Sequence, residues 1–152
     1  MNMLQILLLS LHVLAGAAAI LFGFGAMSVK KKQGWHTQIG NLYHAAFVVV
    51  AVTASALAIL NWKSLWWFLP VAIFSYAFAL LGFLAAKLKF KNWLRFHLLG
   101  QGGSFIALFT GLLAVNFGSI SILPWIIPTL IGTPILIWFK REIKAGRRPK
   151  YS

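Results

Sequence analysis

Apolar residues in this chain run in long blocks separated by short polar connections. A helix needs about 20 mostly apolar residues to cross the hydrocarbon core of a bilayer. Five blocks meet that length, running from Met3 to Val29, Gln38 to Trp62, Leu65 to Ala86, Trp93 to Phe117 and Ile120 to Phe139. None has Asp, Glu or Lys in its interior. The pattern predicts an all-α integral membrane bundle of five transmembrane helices over residues 1–139, followed by a basic tail over 140–152. Short connections favour antiparallel neighbours. No soluble domain, low-complexity linker or internal repeat interrupts the series. In the last block, Pro124 suits a first helical turn, where a missing N–H matters little. Pro128 and Pro134 lie deeper; each removes a backbone hydrogen bond and is expected to kink the helix.

The polar connections differ in charge. Lys30, Lys31 and Lys32 follow the first block, and Lys87, Lys89 and Lys91 follow the third, with Arg95 just inside the fourth. Lys140, Arg141, Lys144, Arg147, Arg148 and Lys150 follow the last. The intervening connections hold Lys63 alone and, around Gly118 and Ser119, no base. By the positive-inside rule the basic side is cytoplasmic, so the expected N-terminus is outside and the C-terminus inside. Tryptophan agrees. Trp35, Trp93 and Trp138 fall at the expected inner boundary, and Trp62, Trp66, Trp67 and Trp125 at the outer one, as aromatic belts require. Leu4 to Leu14 with Ala15-Gly16-Ala17 resembles a signal-peptide core and cleavage region. Such a signal carries positive charge ahead of its apolar core, whereas here the lysines follow it, so the first block reads as an uncleaved span.

Composition adds exclusions. Of 152 residues, 61% are hydrophobic and 10% charged, and the mean hydropathy is +0.85. A soluble domain has about 25% charged residues, so a soluble enzyme or a disordered chain is excluded. A net charge of +13 against a single acid, Glu142, would suggest nucleic acid in a soluble protein. Sorted along the chain, it reads instead as a threading signal and an attraction for anionic lipid headgroups at the cytoplasmic face. Nucleic acid is not an expected partner. Cysteine is absent, which removes disulfide, thiol and iron–sulfur chemistry.

Polar groups inside a membrane are costly and therefore informative. No carboxylate lies in any block. That argues against ion-coupled transport through intramembrane Asp or Glu, and against acid–base catalysis by a carboxylate pair. The four histidines remain, namely His12, His36, His44 and His97. His36, Gly40 and His44 share one helical face at i, i+4, i+8, and His12 and Gly16 repeat the spacing. His97, Gln101 and Ser104 form a stripe beside Gly100, Gly103 and Gly111. Glycine one turn from histidine leaves room for a flat ligand, and neutral imidazole binds haem iron. At 1.5 Å per residue, His44 lies about 9 Å and His97 about 5 Å inside the inner boundary, while His12 lies about 12–14 Å below the outer one. His44 and His97 therefore form the candidate axial pair for a haem b, with His36 able to replace one of them and His12 without a partner at its depth. The alternative is that histidine, glutamine and glycine serve helix packing alone.

Four stretches carry a resemblance: Leu11-His12-Val13-Leu14-Ala15-Gly16; Trp35-His36-Thr37-Gln38-Ile39-Gly40-Asn41-Leu42-Tyr43; Arg95 to Ser104, reaching Asn116; and Leu123-Pro124-Trp125 through Pro128, Gly132, Thr133 and Pro134. Together they resemble an uncharacterised family of small bacterial multi-pass membrane proteins, of the domain-of-unknown-function type. The resemblance implies a multi-pass fold in the bacterial cytoplasmic (inner) membrane. It transfers no activity and no catalytic residue. Three functions fit these residues. The first is haem b binding for electron transfer to a quinone or redox partner. The second is a small transporter or lipid-interacting protein, with His12, Gln101 and Asn116 along a polar path. The third is a structural accessory subunit.

Overall fold

Each apolar block closes its backbone hydrogen bonds within itself, the solution that hydrocarbon imposes on a spanning segment. The computed structural model describes residues 2–145, and among them no strand occurs. Six helices follow in order: α1 Met3–Ser28, α2 Trp35–Leu60, the single turn α3 Trp62–Leu65, α4 Phe68–Leu88, α5 Trp93–Phe117 and α6 Leu123–Lys144. All but α3 are long and apolar enough to cross a membrane. The protein is therefore an all-α, multi-pass membrane protein. The 21 residues of α4, the shortest of the five, span about 32 Å, against a hydrocarbon core of about 30 Å.

Four boundaries differ from the sequence expectation by three residues or more; two of them are the starts of α4, at Phe68 rather than Leu65, and of α6, at Leu123 rather than Ile120. Helix α2 begins at Trp35, three residues before the Gln38 expected. Gly34 precedes it at φ +113°, a conformation that glycine adopts freely and that sets the turn from the lysine connection into the helix. Helix α6 runs beyond Phe139 to Lys144, with Arg141 and Lys144 in its last turn. Cations there complement the negative end of the helix dipole, so the helix continues past its apolar block. Pro124 sits in the first turn as expected, and the helix runs unbroken through Pro128 and Pro134. Pro128 is buried, which suits a packing role. Arg147, Arg148 and Lys150 lie outside the described residues.

Residues 1–77 and 78–152 form two compact units, with the boundary inside α4. In the first unit α1 packs on α2, and its core holds Ala19, Tyr43, Phe47, Thr53, Ala58 and Ala72. Asn2 and Gln5 cap α1 by exchanging side-chain-to-backbone bonds of 2.9 and 3.0 Å. In the second unit α5 packs on α6 and α4 lies against α5. The buried positions are mostly small: Ala79, Gly82 and Ala85 on α4, and Gly100, Ser104 and Ala114 on α5. Large apolar side chains face outward, as with Phe74 at 68% and Leu14 at 69% exposure. A soluble protein could not hold that distribution. A membrane protein requires it, because helices there associate through small residues that let backbones approach, while lipid covers the large ones.

The closest approach of α4 and α5 is a glycine pair. A Cβ on Gly100 would lie 2.5 Å from Gly82 Cα and 2.6 Å from the Phe78 carbonyl oxygen. A Cβ on Gly82 would lie 2.6 Å from the Gln101 backbone nitrogen. These obstacles are backbone and cannot swing away. Gly16, by contrast, has nothing within 4 Å of an added Cβ. Gly100→Ala is therefore expected to lower stability by about 2 kcal/mol through overpacking. Gly16→Ala should leave it unchanged. Thermal unfolding of the two variants in detergent micelles measures the difference.

Candidate functional site

The chemistry-bearing side chains of the spans fall into both units. In the first, His12 of α1 meets Thr53 of α2, with Nδ1 3.0 Å from Oγ1. Thr53 is 2% exposed. Its hydroxyl donates back along its own helix, to the carbonyl oxygens of Val49 at 2.7 Å and Val50 at 3.1 Å. A hydroxyl has one hydrogen to give, so Oγ1 accepts from the imidazole and Nδ1 carries the proton. His36, in the first turn of α2, places Nδ1 2.9 Å from the Ala26 carbonyl of α1. A carbonyl can only accept, so His36 is also protonated on Nδ1. Lys31 donates to the same Ala26 oxygen at 2.7 Å and to Met27 O at 2.6 Å. Together they satisfy carbonyls in the last turn of α1, which lack partners within their own helix. Near the other end of α1, Gln5 Nε2 donates to Asn61 Oδ1 at 3.0 Å, and Asn61 Nδ2 donates to Leu57 O at 2.9 Å.

In the second unit two side chains one turn apart on α5 reach the backbone of α4. His97 Nδ1 donates to the Gly82 carbonyl at 2.9 Å, and Gln101 Nε2 to the Ala79 carbonyl at 3.2 Å. The stripe expected on α5 thus exists, and its partner is main chain. Ser104, Thr110 and Asn116 bond carbonyls of their own helix, those of Gln101, Ile106 and Leu112, the local solution open to short polar side chains.

The candidate haem pair divides between the units, with His44 in the first and His97 in the second. His44 stacks beside Tyr76, ring centroids 6.0 Å apart with 30° between planes. The glycines expected to cradle a flat ligand fall into two groups. Gly16, Gly40 and Gly111 have open space where a Cβ would stand. Gly100 is filled by the α4 backbone and Gly103 by the Phe78 ring, 3.1 Å from a built Cβ. A porphyrin cannot lie against α5 at either position, so these two glycines serve helix packing. Among the described residues no group of three or more His, Cys, Asp or Glu is placed to hold a metal ion.

Three features were not singled out by sequence reasoning. Gly82 makes the α4–α5 approach, and its one signal is that it is the sole glycine in an Ala-, Leu- and Phe-rich helix. Asn61 ties the α2–α3 turn to Gln5. Lys31 caps α1 in addition to its role as a topology signal. Compared with protein families, curated proteins and solved structures, the chain matches none.

The His12–Thr53 pair makes a measurable claim. Thr53→Val removes the oxygen that receives the His12 proton and is expected to cost about 1–2 kcal/mol. His12→Leu leaves the Thr53 hydroxyl bonded to Val49 and should cost less. The double variant is expected to be more stable than the sum of the two losses predicts, by about 1 kcal/mol. A double-mutant cycle of unfolding free energies reads this coupling.

Proposed function

We propose that this multi-pass membrane protein is a structural accessory subunit, in which the intramembrane histidines and glutamines tie helices together. One observation carries the reading: His12, His36, His97, Gln101 and Gln5 each bond a partner outside their own helix. The transport reading places His12, Gln101 and Asn116 along a polar path, yet each already bonds protein, Asn116 within its own helix. Purified after expression with ample haem, the protein should show no Soret band, and His12→Ala or His97→Ala should lower its melting temperature without loss of any chromophore.

The second reading is haem b binding with electron transfer to a quinone or redox partner, through His44 and His97. It is favoured by the His97 tautomer. With Nδ1–H donated to a carbonyl, Nε2 becomes the lone-pair nitrogen, the arrangement that orients metal-ligating histidines. It ranks second because the packed Gly100 and Gly103 leave no room for a ring on that stripe. A Soret band that disappears in both His44→Ala and His97→Ala would replace the first reading with this one.

The orientation we propose is N-terminus outside and C-terminus in the cytoplasm of a bacterial cell, with the inner-face bases contacting anionic headgroups. Lys63 is the sole base in the connections on the other side, and this asymmetry supports the assignment. Because the chain has no cysteine, introduced thiols are clean probes. Ser64→Cys should react with a membrane-impermeant thiol reagent in intact cells, and Lys91→Cys only after permeabilisation.

A further inference from the structure

We infer that the first unit carries a binding site for one phospholipid with an anionic headgroup, seated at the end of α2 remote from the Lys30–Lys32 cluster. Two clefts lie there, with Ile59 lining both. The larger, about 530 Å³, runs along α2 and the first half of α4 and is lined chiefly by apolar side chains such as Val52, Ala56, Ile59 and Ile73, with Ser55 and Tyr76 as polar points. The small residues Ala51, Ser55 and Ala56 line it on α2. Its wall on α2 runs from Val48 to Ile59, about 16 Å of helix and so the depth of one leaflet of a hydrocarbon core about 30 Å thick.

The second cleft, about 390 Å³, shares Ile59 with the first and continues into Asn61, Trp62, Lys63 and Ser64. Lys63 thus lies one helical turn beyond Ile59, the residue at that end of the apolar groove, beside Trp62 and Trp66, side chains suited to a membrane interface. Lys63 is exposed. The turn that presents it is held by the Gln5–Asn61 bond, by Asn61 Nδ2 on Leu57 O and by Ser64 Oγ on the Asn61 carbonyl at 3.3 Å. An open apolar groove about one leaflet long, with a lysine one turn beyond its end, complements an acyl chain below a phosphate. A partner helix suits it less well. A helix packed here by its apolar flank would offer no anion to Lys63.

Native mass spectrometry of the full chain tests the site, after exchange into micelles doped with phosphatidylglycerol or with phosphatidylcholine of the same acyl chains. Phosphatidylglycerol is expected to be retained in preference, with Lys63 contributing about fivefold, the effect of one lysine near the surface. Lys63→Gln should lower the preference about fivefold from its wild-type value, leaving the share that the inner-face bases supply, and Lys63→Arg should keep it whole. Ala56→Leu fills the slot and should lower retention of both lipids several-fold. Ser55→Leu repeats the test at a second position should Ala56→Leu fail to fold. Equal retention of the two lipids by the wild type, or a preference that Lys63→Gln leaves unchanged, would overturn the proposal. So would slot variants that alter oligomeric state while leaving lipid retention intact, which would give the cleft to a partner helix.

Discussion

The hydrocarbon interior offers no water, so every polar group carried into it must find its partner within the protein. That constraint orders most of what the structure contains. Backbone groups are satisfied by making the blocks helical. Hydroxyls and the Asn116 amide turn back onto carbonyls of their own helices. Histidine and glutamine are too long to do so well, and Gln5, His12, His36, His97 and Gln101 reach across instead. Each crossing bond contributes only about 0.6 kcal/mol on average in a membrane. Its larger effect is on register, because a side chain left without its partner carries the full desolvation penalty.

Reaching across to a backbone carbonyl requires close helices, and close helices require residues without bulk. The α4–α5 contact joins these demands. Gly82 and Gly100 remove the side chains that would hold the backbones apart, and within one turn His97 and Gln101 bond the carbonyls of Gly82 and Ala79. Gly82 thus supplies both the gap and an acceptor. The α1–α2 contact reaches the same end differently, through a side chain from each helix, His12 and Thr53, meeting in the middle. There Gly16 keeps open space beside it and plays no part in the approach. The two units follow one rule with different geometry.

The same distinction explains what could be read from the sequence. The five spans, the tryptophan positions and the run of lysines are properties of single segments, and hydropathy along the chain exposes them. The early start of α2 depends on Gly34 adopting positive φ, which composition does not encode. The extension of α6 to Lys144 depends on helix-end electrostatics outweighing the loss of apolar character. Histidine spacing identified the polar faces, but whether glycine beside a histidine is a cradle or a contact depends on how the neighbouring helix is rotated. Gly16 and Gly100 look alike in sequence and differ completely in their surroundings. Gly82 passed unnoticed because its partner lies on another helix.

Histidine suits the role of a tie better than the alternatives a membrane permits. A carboxylate or lysine would bring a full charge into hydrocarbon, and serine or threonine would turn back onto its own helix. Neutral imidazole can donate from Nδ1 to a fixed acceptor while its ring fills space like an aromatic side chain. His12, His36 and His97 all take this form. The absence of carboxylates from the spans follows the same logic. The charges that the chain does carry lie at the helix ends, where Lys31 can satisfy the carbonyls of α1 and still present its charge to the interface. Charge and hydrogen bonding are thereby separated by depth, with cations at the boundaries and neutral donors within. That separation lets so basic a chain carry five membrane-spanning helices whose apolar blocks hold no acidic residue.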